Sequence, residues 1–254
     1  MRVLVCIKRV PAVAGRITLT PDERAIDMKY LGFAIGPHEE CAVEGAVRLI
    51  EEHGGESVVL TLGPAEGLEQ LRDALALGVN RAIHLVSGPE EWDAGSTAAA
   101  IVDAIRADEA ANGPFDLVLL GNEAADSGGY QVGVRIGRAL GRPMVAGIKG
   151  LSAAGGVASA EQEVAGGRDV YDLPMPAVVA VLEGLNLPRF PSVPGRLRAK
   201  SKPVAVSSPT RGEQGLDLIR LVVPQGVSKQ AVVLGSGPDA APAVVEMLAS
   251  LGVL

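Results

Sequence analysis

Short apolar runs alternate along the chain with longer segments of helical periodicity. The apolar runs lie at residues 3–7, 57–62, 81–86, 115–120 and 177–182, and the helical segments at 39–52, 65–77, 96–111 and 130–140. Continuous apolar runs of this length are typical of parallel strands buried on both faces. Strands that alternate with helices indicate right-handed βαβ units. The sequence therefore predicts an α/β fold with a doubly wound, mostly parallel sheet.

The pattern changes after about residue 145. Gly155-Gly156 and Gly166-Gly167 interrupt residues 151–172 as turns would, which predicts an antiparallel excursion from the sheet. After Glu183 the regularity is lost, and a last helix is expected at residues 239–251. Four prolines argue against any helix or central strand in the first part of this region: Pro188, Pro191, Pro194 and Pro203.

This change suggests two parts, residues 1–183 as an α/β domain and residues 184–254 as an extended C-terminal arm. Such an arm packs either on a partner chain or on its own domain, and the pattern leaves both open.

Composition excludes several classes of protein. No apolar run approaches the roughly 20 residues that a membrane helix needs, and MRVLVCIKRV is too short for a signal-peptide core, so a cytoplasmic protein is expected. The net charge of −7 opposes nucleic-acid binding. Two cysteines make neither a disulfide framework nor a metal site.

No catalytic motif is present. Nucleophile elbow, phosphate-binding P-loop and zinc-protease sequences are all missing. His84 lies within an apolar run and is expected in the core, His53 at a helix end, and Cys6 as a small buried hydrophobe. The chain is therefore expected not to be an enzyme.

The strongest local signal is the glycine-rich segment 121–133, which follows an apolar run and opens a helix. Glycines let the backbone approach a phosphate, and a helix N-terminus supplies N–H donors. The loops at 8–9, 35–39 and 62–64 should meet it at the same sheet edge, where open α/β sheets bind ligands. An ordinary glycine-rich loop remains the alternative.

Several segments resemble the β subunits of electron-transfer flavoproteins. The most specific is Asn186 with Pro188-Arg189-Phe190-Pro191-Ser192, which Pro194 and Ala199-Lys200 follow. The similarity runs from residue 2 to about 205, and it includes Arg2-Val3-Leu4-Val5, Lys8-Arg9-Val10, Ala42-Val43-Glu44, Gly63-Pro64-Ala65 and residues 117–121.

The resemblance implies an adenine-nucleotide α-hydrolase-like fold that binds a structural AMP. An α subunit would hold the redox-active FAD, and the heterodimer would carry electrons from dehydrogenases, such as those of fatty acid oxidation, to a quinone reductase. Alternatively, a second FAD replaces AMP in the electron-bifurcating type. The implied nucleotide contacts are Cys6, Gly36, Pro37, His38, Glu39, Leu62, Gly121, Asn122, Glu123, Ala124, Ala125, Asp126, Ser127, Gly128, Gly129, Tyr130, Gln131 and Val132.

The resemblance also implies a partner-recognition loop at residues 188–202, with Val193 as the apolar anchor. Its implied contacts are Pro191, Val193, Pro194, Arg196, Arg198 and Lys200. The chain departs from the family at Tyr130-Gln131-Val132, where Asn-Gln-Thr is common, at Val13, where some members have tyrosine, and at Arg168-Asp169, where an acidic residue is usual. A nucleotide hydrolase or ligase, or a nucleotide-sensing regulator, remains an alternative on this fold.

Overall fold

The computed structural model describes residues 1–12, 17–88, 90–213, 215–224 and 231–253. Within them the chain forms an α/β fold. The helices are α1 (Pro37–His53), α2 (Leu68–Leu77), α3 (Ala94–Asn112), α4 (Gln131–Leu140), α5 (Val193–Ala199) and α6 (Ala241–Ser250). The strands are β1 (Arg2–Ile7), β2 (Arg9–Ala12), β3 (Gly32–Ile35), β4 (Glu56–Gly63), β5 (Arg81–Val86), β6 (Leu117–Gly121), β7 (Met144–Ala154), β8 (Val157–Val164), β9 (Gly167–Pro174), β10 (Ala177–Val181) and β11 (Val204–Ser207).

Nine strands form one sheet in the order β11-β5-β4-β1-β6-β10-β7-β8-β9. All pairs from β11 to β7 are parallel, whereas β8 pairs antiparallel with both β7 and β9. Gly155 and Gly156 connect β7 to β8 with φ of 58° and 83°, a left-handed conformation that glycine adopts without strain. The predicted doubly wound sheet and its antiparallel excursion are both confirmed.

Helices cover both faces of the sheet. Side chains of α1 and α2 join one core cluster, in which Val5 and Val59 contribute from the strands. Side chains of α3 and α4 join a second cluster with Leu4 and Val118. Strands β4 and β5 are added on one side of β1 and β6 on the other, so the topological switch point lies between β1 and β6.

The region after residue 183 is more regular than the prolines indicated. Residues 193–199 form α5, so the expectation of no helix there was wrong. Pro194 lies in the first turn, where the missing N–H costs nothing, and the Ser192 hydroxyl caps the helix by accepting from the Gly195 N–H at 3.1 Å. Strand β11 pairs in parallel with β5 at the edge of the sheet.

Two further points refine the sequence-based elements. The segment at 65–77 divides into a 3-10 turn (Ala65–Gly67) and α2. The sequence patterns did not predict the antiparallel ribbon of β2 and β3, whose four-residue strands are too short to show a period.

Candidate functional site at the carboxyl edge of the sheet

The carboxyl end of β1 lies between the ends of β4 and β6. Cys6 is in register with Leu60 on one side and Leu120 on the other. The loops that follow these three strands therefore meet at one edge, as the sequence predicts. Burial raises the pKa of the Cys6 thiol to about 12. The thiol thus stays neutral below the site, as expected for a small hydrophobic side chain.

Helix α1 brings its N-terminus to this edge. Gly36 is the N-cap, Pro37 is the first helical residue, and Glu39 and Glu40 lie in the first turn. Only 5% of Glu39 is exposed. Burial raises the pKa of its carboxyl to about 7, although a hydrogen bond from its own backbone N–H opposes the shift. Its Oε2 atom is buried and has no hydrogen-bond partner among the described residues.

The loop between β6 and α4 forms the opposite side of the crevice. The Asn122 N–H donates to the Val181 carbonyl at 2.9 Å, and the Asn122 Oδ1 accepts from the Gly147 N–H at 2.8 Å. These two bonds fix the start of the loop to β10 and β7. Further along, the Gly128 N–H closes a turn on the Ala124 carbonyl at 2.8 Å, with a Gly128 φ of 60°.

Helix α4 begins at the end of this loop without a side-chain cap. Tyr130 is the N-cap, and its side chain makes no capping hydrogen bond. The first N–H groups of a helix have no intrahelical partners, so they can serve an anion. A hydrogen bond to the Glu123 carboxylate raises the pKa of the Tyr130 phenol.

Lys8 lies directly after β1 and forms a salt bridge with the loop after β6. Its ammonium lies 2.8 Å from the Asp126 carboxylate and 3.5 Å from that of Glu91. The sequence marks Lys8 only through its place after the first strand, and the family-derived contacts did not include it. Arg9 lies in β2, where its guanidinium stacks on the Phe33 ring at 3.2 Å.

The structure therefore brings most of the nucleotide residues expected from the sequence to one crevice. The two sides of the crevice come closest around Glu39. A Cβ on Gly121, at the end of β6, would lie 2.8 Å from the Glu39 Cδ, and a Cβ on Gly36, before α1, would lie 3.6 Å from the Ala125 Cβ in the loop. Leu62 lies on the neighbouring strand β4, half-buried against the α3 and α4 side of the sheet. Residues 125–131 are exposed.

The expected partner loop lies on α5 and the segment before it. Val193 is 73% exposed, and Arg196, Arg198 and Lys200 are also exposed. Phe190 is 94% exposed, more than the expected anchor; its position in the aromatic element Pro188-Arg189-Phe190 was the available signal. Leu197, 62% exposed, is a second apolar residue of this surface that the sequence did not single out.

Two basic residues of this segment have structural roles. The Lys202 ammonium donates to the carbonyls of Leu75 and Val79, at 2.9 and 2.5 Å, near the C-terminus of α2. Arg189 pairs with Glu44 on α1 at 2.8 Å. Val13, the departure from the family nearest the N-terminus, lies outside the described residues.

Two cavities lie away from the crevice, beside α2 and α5. One of about 650 Å³ lies between Glu69, Asp73, Arg196 and Lys200, and one of about 340 Å³ lies beside Phe190 and Gly195. The crevice is the stronger site, because convergent loops, glycines and a helix N-terminus meet there, whereas a mixture of charged and apolar side chains lines the two cavities.

Neither metal chemistry nor membrane insertion is indicated by the described part of the chain. It contains no group of three or more His, Cys, Asp or Glu side chains that could hold a metal ion. It also contains no helix long and apolar enough to cross a membrane. His84 is 2% exposed, and its Nε2 lies 3.1 Å from the Pro64 carbonyl, which confirms its place in the core.

The known proteins to which the chain is similar belong to one family. The model of the electron transfer flavoprotein domain matches residues 25–211. The electron transfer flavoprotein subunit beta of Syntrophomonas wolfei is 34% identical over 88% of this chain and 86% of its own length. The human subunit is 35% identical over 86% of this chain and 84% of its own, and that of Mycobacterium leprae 32% over 98% and 93%.

Proposed function

The chain belongs to the electron transfer flavoprotein β-subunit family, and we propose on this premise that it binds a structural AMP in the crevice between β1 and β6. With a FAD-carrying α subunit it would carry electrons from dehydrogenases, such as acyl-CoA dehydrogenases, to a quinone reductase. The chain would perform no substrate turnover of its own. A cytoplasmic location stays a prediction.

One observation carries the nucleotide assignment. The N-terminus of α1, the glycine-rich loop after β6 and the N-terminus of α4 meet at the topological switch point, where open α/β sheets bind ligands. Gly36 and Gly121 make room there for the Glu39 carboxyl, because a Cβ at either position would collide with it. The start of α4 offers backbone donors, although Tyr130-Gln131-Val132 departs from the family there.

The residues at the site favour some parts of AMP and oppose others. Glu39, Glu123 and Asp126 surround the loop with negative charge, and Lys8 is the nearby cation that pairs with Asp126. A phosphate would therefore depend on backbone N–H groups at residues 127–132 and on Lys8. The base and ribose would lie on the α1 side.

The partner assignment is a separate proposal. Val193 and Phe190 project from the segment before and within α5, and Arg196, Arg198 and Lys200 surround them with positive charge. An apolar anchor within a charged rim is typical of a docking surface. We assign residues 188–202 to dehydrogenase recognition, and the C-terminal arm within residues 184–254 to contact with the α subunit.

The nucleotide proposal is tested by co-expressing the chain with its α subunit, denaturing the purified heterodimer and identifying the released nucleotides by chromatography. One AMP and one FAD per heterodimer are expected. Two FAD and no AMP would place the protein in the bifurcating class. Release of one FAD and no second nucleotide would refute the site.

A further inference from the structure

The Glu39 carboxyl lies on the floor of the crevice between two glycines. Glu39 is the third residue of α1. A Cβ on Gly121 would come within 2.8 Å of its Cδ, and a Cβ on Gly36 would collide with its Oε2. Glycine at both positions thus leaves room for this carboxyl, whose side chain reaches from α1 toward the end of β6.

The charged groups around Glu39 do not provide a hydrogen bond to its buried Oε2 atom. Lys8, at the end of β1, is held by Asp126 at 2.8 Å and by Glu91 at 3.5 Å. Asp126 from the loop and Glu40 from α1 repel the Glu39 carboxylate, whereas Lys8 attracts it. Among the described residues, Glu39 Oε2 has no hydrogen-bond partner. Buried polar atoms in folded proteins are nearly always satisfied, so an acceptor left this way calls for a donor that the described residues do not supply.

The sign of the charge restricts what that donor can be. Above its pKa of about 7 the Glu39 carboxyl is ionised, and an ionised carboxylate only accepts hydrogen bonds. It would repel a phosphate, whereas the uncapped N-terminus of α4 would attract one. The matching chemistry is therefore an N–H or O–H group on the uncharged part of a nucleotide.

We propose that Glu39 determines ligand specificity in the crevice, by accepting a hydrogen bond from the amino group of the base or from a ribose hydroxyl. This inference rests on the proposed nucleotide function. It assigns opposite ends of the ligand to the two sides of the crevice. The base and ribose lie over Glu39, and the phosphate lies at the start of α4.

The variants are designed to separate binding from folding. Glu39→Met removes the acceptor while keeping the volume, and Glu39→Gln keeps a neutral acceptor oxygen. Glu40→Gln makes the same charge change one residue away, on an exposed side chain. Each is prepared as the heterodimer, unfolded to release nucleotide and refolded with FAD, and AMP binding is measured by titration calorimetry.

We expect AMP affinity to fall at least tenfold in Glu39→Met and less in Glu39→Gln, and to stay near wild type in Glu40→Gln. The ligand-free thermal midpoint of Glu39→Met should equal or exceed that of wild type. A residue with only a structural role would lower affinity and midpoint together. Unchanged AMP affinity in Glu39→Met would overturn the inference.

Ligand analogues identify the donor. Purine riboside 5′-monophosphate lacks the amino group, and 2′-deoxy-AMP and 3′-deoxy-AMP each lack one hydroxyl. The analogue that lacks the donor should bind wild type at least tenfold more weakly than AMP but should bind Glu39→Met no more weakly than AMP does. If no analogue shows this coupling, Glu39 does not contact the ligand. If wild type binds no AMP, the proposed nucleotide function fails instead.

Discussion

Arg189 donates two side-chain hydrogen bonds to the carboxylate of Glu44, one from Nε at 2.8 Å and one from Nη2 at 3.1 Å. The Glu44 side chain is only 1% exposed on α1, the helix whose first turn carries Glu39. The same guanidinium binds Glu51, one side of the 340 Å³ cavity. The segment before α5 is thereby fixed to the helix that forms one side of the proposed nucleotide crevice.

Arg189→Ala should lower the free energy of unfolding by about 2–3 kcal/mol, because it leaves a buried carboxylate with Arg48 as its remaining partner. Urea denaturation at pH 7 measures the change. In a Glu44→Gln background the same substitution should cost about 1 kcal/mol, since no buried charge is left. Equal costs in both backgrounds would show that the ion pair contributes nothing.

The pH dependence of this pair follows from Glu44. Burial acts to raise its pKa, but hydrogen bonds from Arg189 and then Arg48 outweigh burial and lower the pKa below the ordinary value. The stabilisation is therefore complete above the pKa of the unfolded chain, near 4.5, and is lost as pH falls through the lower folded pKa. The difference in the free energy of unfolding between wild type and Arg189→Ala should therefore become smaller below about pH 4.5.

Glu39 should have the opposite pH dependence. Its folded pKa of about 7 lies above the ordinary 4.5, mainly through burial. The folded state then holds a proton that the unfolded chain releases between these values, so ligand-free stability falls as pH rises from about 4.5 to 7. The full penalty, at most roughly 3 kcal/mol, is present above pH 7.

Glu39→Gln should therefore stabilise the ligand-free protein at pH 8 and change it little at pH 4.5. Thermal or urea unfolding across this range measures the gain. Glu40→Gln is the matched control, and its gain should be smaller because solvent screens the exposed side chain. A gain for Glu39→Gln that is equal at both pH values would mean that this carboxyl does not titrate in the range.

The sequence predicted the central parallel strands β1, β4, β5, β6 and β10 because each contains a mainly apolar run that is buried in the sheet. The limits of β5 at Arg81–Val86 match the predicted run, and α4 differs by one residue. Residues 193–199 were missed because a proline in the first helical turn is compatible with a helix. Strand β11 at Val204–Ser207 was missed because its side chains are half-buried or exposed at the sheet edge, which leaves no apolar signal.

The sequence predicted where in the fold the candidate site lies, but not which side chains contact one another there. Glycine content and position after β6 indicated residues 121–132, and parallel topology brought the α1 N-terminus beside them. No pattern indicates that the Glu39 carboxyl lies between Gly36 and Gly121, because this contact joins residues more than 80 positions apart in the chain. The salt bridge of Lys8 with Asp126 depends on the same long-range arrangement.

Gly121→Ala should reduce nucleotide content, because the added Cβ lies 2.8 Å from the Glu39 Cδ, within a buried side chain that has little room to move. Gly88→Ala is the control, since nothing lies within 4 Å of a Cβ there. The nucleotide released per heterodimer measures the effect. Full nucleotide content in Gly121→Ala would contradict the placement of the ligand over this glycine.

Docking can be tested without disturbing the fold at Val193. This residue is the first of α5 and is 73% exposed, and an acidic side chain is favourable at a helix N-terminus. Val193→Glu should therefore leave the free energy of unfolding unchanged. At a dehydrogenase interface, however, it would bury an unpaired carboxylate. Val193→Ala removes two methyl groups at roughly 0.8 kcal/mol each, which corresponds to about a tenfold loss of affinity.

The measurement is dehydrogenase-dependent flavin reduction in the heterodimer at sub-saturating dehydrogenase. Val193→Glu should reduce the rate far more than Val193→Ala, and added salt should slow wild type because the proposed steering by Arg196, Arg198 and Lys200 is electrostatic. Val206→Glu introduces the same change on β11, at 65% exposure, and should keep the wild-type rate. Since Phe190 is more exposed than Val193, a wild-type rate in Val193→Glu would exclude Val193 as anchor and leave Phe190 as the side chain to replace next.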